Sequence, residues 1–187
     1  VRLAISLLTA LLLSLSLLTP ADAARPIEDY ASYVQPKKCH PKPYPGTAYL
    51  GRWVARHHGG GYVGTSRSCP RKRGATSDHQ TGRAFDWSAD VSRRSDRKQV
   101  RALLHELFEK DRQGNPDARA RRMGIVYVIW ADHMYAAWSG FRPEPYLSSG
   151  CTSKKKCSKT LRHRNHVHVS LSKAGAKGRT SWYDGRL

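Results

Sequence analysis

A chain of 187 residues, 39% of them hydrophobic, is long enough for one domain with a proper core and too short for two of ordinary size. Lysine and arginine number 33 against 14 Asp and Glu, and the resulting net charge of +19 directs the protein towards a polyanion and away from cationic partners. Wall polymers, anionic lipid headgroups and nucleic acid all meet that description, and charge alone does not choose among them.

Residues 1–23 read as a secretory signal peptide: Arg2, an apolar run from Leu3 to Leu18, then Pro20 and the small-x-small end Ala21-Asp22-Ala23. The run is shorter than the ~20 apolar residues of a membrane span. The expectation is a bacterial exported protein, secreted and associated with the cell wall, with no transmembrane anchor after processing. Residues 24–45, rich in Pro, Lys and Tyr and without a period, should form an extended arm on a single domain spanning 46–187. In an exported chain the even cysteine count points to disulfides. Three pairings are possible; Cys39–Cys69 would tie the arm to the loop before residue 77, and Cys151–Cys157 would close a lysine-rich loop.

Thr47–His58 fits an amphipathic helix with Leu50, Trp53 and Val54 inward, ended by Gly59-Gly60-Gly61; His57 and His58 at its end suit the helix dipole as surface residues. Tyr62–Cys69 is expected as a short strand carrying Arg67. From Lys98 to Lys110, Val100, Leu103, Leu104, Leu107 and Phe108 recur at helical spacing, with His105 on the polar side. Gly114-Asn115-Pro116 breaks the pattern. Gly124–Trp130, β-branched and aromatic, should be a central strand, followed by a loop with His133, Tyr135, Trp138 and Phe141. Residues 142–162 read as a loop with the solvated run Lys154-Lys155-Lys156, and a Gly/Ala-rich segment leads to Trp182-Tyr183. The fold class expected is α+β, a small antiparallel sheet with helices on one side.

Two segments carry chemistry. Ser77-Asp78-His79-Gln80-Thr81-Gly82-Arg83-Ala84-Phe85-Asp86-Trp87 supplies an imidazole and a carboxylate, both ordinary zinc ligands. Gly82 permits the tight path between them and Ala84 leaves space. The second segment, His163-Arg164-Asn165-His166-Val167-His168-Val169-Ser170, reads as a strand that turns His166, His168 and Ser170 to one face and Val167 and Val169 to the core. One of its histidines can complete a three-ligand site while the other stands beside the open position; His163 joins only if the strand begins after it. Three protein ligands with a water position are the catalytic form of zinc.

The pattern Ser77-x-His79-x-x-Gly82-x-Ala84-x-Asp86 resembles, at every fixed position, the first zinc motif of the D-alanyl-D-alanine carboxypeptidase family, which belongs to a wider group with lysostaphin-type peptidases and the hedgehog amino-terminal domain. His166-x-His168 resembles that group's second motif, and with His163 the string His-x-x-His-x-His is similar to the penicillin-insensitive murein endopeptidases. The resemblance implies Zn2+ held by His79, Asp86 and His168, with His166 assisting the catalytic water and Arg67 binding substrate or steadying the oxyanion. Ser77, His163 and Trp87 are expected to support the ligands or touch substrate. One position departs: the carboxypeptidase branch has a glutamate as general base where this chain has Asn165, so either His166 takes the base role or the protein binds zinc and catalyses poorly.

The expectation is therefore an exported, monomeric zinc metallopeptidase that hydrolyses peptidoglycan stem peptides or cross-links and is held to anionic wall polymers by its charge. Two alternatives are a non-catalytic zinc-containing wall-binding module and a secreted nuclease. No Asp/Glu cluster for Mg2+ accompanies His163-Arg164-Asn165-His166, so nucleic acid is not expected as a partner.

Overall fold

Strand-forming residues in six short runs pair into one antiparallel sheet. The runs are Gly61–Gly64 (β1), Ala84–Ser88 (β2), Ile125–Trp130 (β3), His133–Ala136 (β4), Pro143–Pro145 (β5) and His166–Leu171 (β6), laid side by side as β1-β2-β6-β3-β4-β5. This computed structural model describes residues 26–65, 67–69 and 74–187; the expected signal peptide and most of the basic loop after Cys69 lie outside the described residues.

The two faces of the sheet differ because the residues alternate. On one face Phe85, Trp87, Val128, Val167, Val169 and Leu171 are fully buried. Pro45–His58 (α1), Arg94–Phe108 (α2), Ala118–Met123 (α3) and Lys173–Ala176 (α4) complete that core with Leu50, Val100, Leu103, Leu107, Met123 and Ala176. The fold is α+β with its helices on one side, as expected. The opposite face carries Asp86, His168, Ser170 and Tyr127, polar groups brought together by the same alternation.

Local chemistry sets the element ends. Pro45 occupies the first turn of α1, where its missing N–H costs nothing, and Arg56, His57 and His58 lie at the carbonyl end. Leu50, Trp53 and Val54 point inward as expected. His58 departs from the surface reading: its side chain is only 8% exposed and pairs with Glu106 at 3.0 Å, because α2 packs across the end of α1. His57 remains exposed, stacked on Trp53. α2 starts four residues before the expected Lys98 and ends at Phe108. Asp96 in its first turn accepts the Asp90 N–H at 2.9 Å, and Glu109 turns extended.

β1 stops at Gly64 and does not carry Arg67. Its pairing with β2 slips between Tyr62 and Gly64, Gly64 takes a φ of +122°, and the chain then leaves the sheet towards the Cys39–Cys69 disulfide. Both expected disulfides, Cys39–Cys69 and Cys151–Cys157, are present, with Cα separations of 5.8 and 5.3 Å. β4 and β5 lie in segments read from sequence as loop, and α3 in a stretch given no element.

Residues 26–44 have no helix or strand and run across the domain. Tyr30 hydroxyl donates to Asp117, Ala75 N–H to the Lys37 carbonyl, and His40 N–H to the Gln80 carbonyl at 2.6 Å. The last of these, with Tyr44 N–H to the Gly82 carbonyl, fastens the arm to the first chemical segment. No helix among the described residues is long and apolar enough to cross a membrane.

Leu103, fully buried on the inner face of α2, sets the scale of the core. Leu103→Ala should lower stability by about 3 kcal/mol, read as a reduced urea midpoint with the disulfides intact; a loss under about 1 kcal/mol would mean that α2 packs loosely.

Candidate metal centre

Antiparallel register places the site. Asp86 on β2 lies directly opposite His168 on β6, so their side chains share one face at the spacing of paired residues. His79 reaches the same point from the 3-10 turn Asp78–Thr81. Ser77 caps that turn, its hydroxyl accepting the His79 N–H at 3.2 Å. Gly82 ends it in the left-handed region at φ +69°, where a Cβ would stand 2.5 Å from the Lys42 carbonyl oxygen; the glycine is required both for the turn and for the passing arm.

Three atoms then converge. His79 Nε2 lies 3.1 Å from Asp86 Oδ1 and 3.0 Å from His168 Nδ1, and His168 Nδ1 lies 3.2 Å from Asp86 Oδ1. Among the described residues these three form the one His/Cys/Asp/Glu group spaced to hold a metal. The far nitrogen of each imidazole fixes which tautomer is present. Ser170 Oγ gives its proton to Asp78 Oδ2 at 2.9 Å, so it accepts from His168 Nε2–H, also at 2.9 Å. His79 Nδ1 faces the Thr65 carbonyl, which can only accept, at 3.4 Å. In the neutral imidazoles both inward nitrogens are therefore bare, and with the carboxylate they present three lone pairs to one another. A cation at that point, or a proton on one of the imidazoles, removes the conflict. Ligands about 2.0–2.1 Å from a tetrahedral zinc lie roughly 3.3 Å apart, close to the distances found.

Behind the ligands stands Asp78, buried, accepting from Ser170 and from the Tyr127 hydroxyl (2.8 Å) on one oxygen and from Arg83 on the other (2.6 Å). Tyr127 also stacks on His168, ring centroids 5.6 Å apart. This chain of contacts orients His168 as a carboxylate behind a ligating histidine does. Sequence reading missed Asp78 and Arg83. The signal was present in two opposite charges flanking the Gly82 turn, one of them leading into the apolar start of β2.

Burial raises the Asp86 carboxyl; when the facing nitrogens of His168 and His79 carry protons in place of a cation, their hydrogen bonds and charge outweigh burial and hold the group well below the ordinary carboxylate range. Burial lowers His168 and His166 below the ordinary histidine value; Asp86 opposes it at both, while His79, and at His166 also His168 and Arg67, add to it. His166 begins β6 with its Nε2 3.8 Å from Asp86 Oδ1. Its Nδ1 meets Asn165 Oδ1 at 2.9 Å, while Asn165 Nδ2 donates to Thr160. The asparagine oxygen thus accepts a hydrogen bond from Nδ1–H and leaves Nε2 bare on the side of Asp86.

β6 does begin after His163, which takes a φ of +49° and turns its ring into the site, 4.8 Å from His166 and 5.6 Å from His168 by ring centroids. Burial, then the nearby histidines, push its pKa down to about 3, and among the described residues no hydrogen-bond partner meets its Nδ1. Asp132 holds this backbone in place. Its carboxylate accepts two bonds from Arg162 (2.7 and 2.9 Å) and one from Arg164 (2.8 Å), and Ala131 N–H donates to the His163 carbonyl.

Other expected site residues fall elsewhere. Trp87 contacts neither ligand nor opening: it points to the opposite face from Asp86, fully buried in the core, its indole N–H donating to the Gly59 carbonyl. Ser77 supports His79 from the backbone side. Arg67 is exposed on the irregular segment 67–69, near enough for its charge to act on His166. His133 is exposed and bonds the Ala131 carbonyl. Tyr33 and Trp138, about half exposed, flank Tyr127 with ring centroids 6.2 Å away.

A family model described as VldE, C-terminal domain, matches residues 40–154, more than half of the chain, and the chain belongs to that family. The match contains His79 and Asp86 and stops short of His163–His168. No curated protein and no solved structure matches the chain.

The guanidinium clamp depresses the Asp132 carboxyl to about 2. A carboxylate lowered on folding stabilises above its unfolded value near 4, and that contribution disappears as pH falls to about 2. Asp132→Asn should therefore cost about 1–2 kcal/mol at pH 7 and almost nothing near pH 2, measured by urea unfolding across pH. A penalty independent of pH would remove the clamp from the account.

Proposed function

We propose that this member of the VldE C-terminal domain family is an exported zinc-dependent peptidase acting on peptidoglycan stem peptides or cross-links. The observation that supports the reading most is the meeting of three bare donor atoms with a fourth, unligated imidazole nitrogen, His166 Nε2, directed at the same point. The resemblance of the motifs around His79, Asp86, His166 and His168 to the peptidoglycan peptidases supports the substrate class. The two disulfides suit an oxidising compartment outside the cytoplasm.

His79 Nε2, Asp86 Oδ1 and His168 Nδ1 would hold the ion. A zinc bound there supplies Lewis acidity, polarising a peptide carbonyl and acidifying a water. The chain's own residues do the rest. Asp86 remains ionised and offsets the ion's charge. Ser170 and Asp78 keep His168 in the ligating tautomer. His166 is kept neutral by burial and oriented by Asn165, so its Nε2 is the atom that takes a proton from the attacking water and returns it to the leaving amine. Asn165, which replaces an acidic base, thus acts on the base instead of serving as one. Arg67 brings positive charge to the rim, where a stem-peptide carboxylate or the reacting carbonyl oxygen would lie. Tyr33 and Trp138 offer an apolar wall beside it.

Muropeptides incubated with the purified chain should yield metal-dependent cleavage products by mass spectrometry, abolished by chelator and restored by zinc. His166→Ala should lower kcat by about 10²–10⁴ while the protein retains its zinc. Zinc retention with no hydrolysis by either protein would favour the non-catalytic wall-binding module; plasmid nicking would favour the nuclease. Ser170→Ala, which removes the link to Asp78, should weaken zinc affinity about 10–100-fold in competition with a chromophoric chelator. Unchanged affinity would detach Asp78 from the centre.

A further inference from the structure

A second concavity lies on the far side of Arg83 from the metal centre. It has a volume of about 520 Å³ and is walled by the arm from Val34 to His40, by Tyr44 and by one face of α4. Its lining contains five side-chain cations, Lys37, Lys38, Arg83, Lys173 and Lys177, and no carboxylate among the described residues. Lys173 opens α4 and Lys177, in helical conformation, caps its end one turn later, so the two share a face. Lys177 Nζ stands 5.8 Å over the Tyr44 ring, which is itself stacked on His40 at 4.2 Å. Arg83 is fixed from three sides, by Asp78, by Thr81 Oγ1 at 2.9 Å and by the Val34 carbonyl at 2.7 Å.

Arg83 is already paired with Asp78, but gathering the four lysine charges around one recess opposes folding, because each raises the potential felt by the others. An anion relieves that repulsion, and the space exceeds what a lone phosphate fills, falling within the size of ordinary ligand pockets. The four lysines at the mouth are exposed and suit phosphates spaced along a chain, while Arg83, buried and paired with Asp78, closes the base. Resting on the reading of the protein as exported to the cell wall, we infer that this pocket binds a polymer of phosphodiester-linked polyols, the acidic chemistry of such a wall, and so docks the protein independently of the metal chemistry.

The test uses the full chain titrated with poly(glycerol phosphate), with inorganic phosphate and single-stranded DNA of matched charge as separate arms. K173Q/K177Q should lower polymer affinity about tenfold or more and flatten its salt dependence, while K154Q/K155Q in the exposed Cys151–Cys157 loop stays within about twofold. Inorganic phosphate should compete, weakly. Should K173Q/K177Q fail to fold, K37Q/K38Q on the opposite wall carries the same expectation. Equal losses from the pocket and loop pairs would reduce the effect to diffuse charge and overturn the pocket. Unchanged affinity in the pocket variant would do the same, and DNA binding tighter than the polymer would overturn the assignment of its ligand.

Discussion

The pairing of β2 with β6 is the constraint from which the rest of the site follows. With Asp86 opposite His168, an acid and an imidazole from distant parts of the chain share the open face of the sheet, while Phe85, Trp87, Val167 and Val169 share the closed one. A slip of one residue would exchange the two sets, burying the histidines among the helices and exposing the valines. Register is thus set by the hydrophobic effect on one face, and the polar face inherits its geometry. The convergence of donor atoms is held by the burial of apolar residues that take no part in it.

What the polar face would cost if left bare is offset by its connections. Asp78 accepts from Ser170, Tyr127 and Arg83, so a buried carboxylate is satisfied at both oxygens. The Asp132 clamp performs a similar task at the other end of β6, fixing the irregular backbone from which His163 enters. Arg83 belongs to two places at once, buried against Asp78 behind His168 and contributing to the lining of the basic pocket on its other side. The arm closes that pocket and bonds the turn that carries His79, so a segment without regular structure contributes to both recesses.

Much of this was legible in the residues. Strict alternation in His166–Leu171 and helical spacing in α1 and α2 revealed which side chains would be buried, because period alone decides the facing of a strand or helix. The two ligand segments stood out since imidazole and carboxylate interrupt otherwise apolar strands. Asp78 and Arg83 were hidden by their ordinary appearance as surface charges, and only tertiary packing pairs them. Trp87 was misplaced for a related reason: nearness in sequence to Asp86 means opposite faces on a strand. α3 was obscured by its brevity and its arginines, β4 by its shortness, and β5 by its shortness and its two prolines. Asn165, which as a missing base argued against catalysis, has a different meaning once its contact with His166 Nδ1 is known.

The central claim is that His79, Asp86 and His168 bind one cation and leave a position open. X-ray absorption at the zinc edge of the loaded protein tests it directly. The account predicts a first shell of nitrogen and oxygen at about 2.0–2.1 Å with outer-shell scattering from two imidazoles, and one non-protein oxygen that an added anion displaces. A sulfur shell near 2.3 Å, or a spectrum unchanged when His79 and His168 are both replaced by alanine, would contradict it.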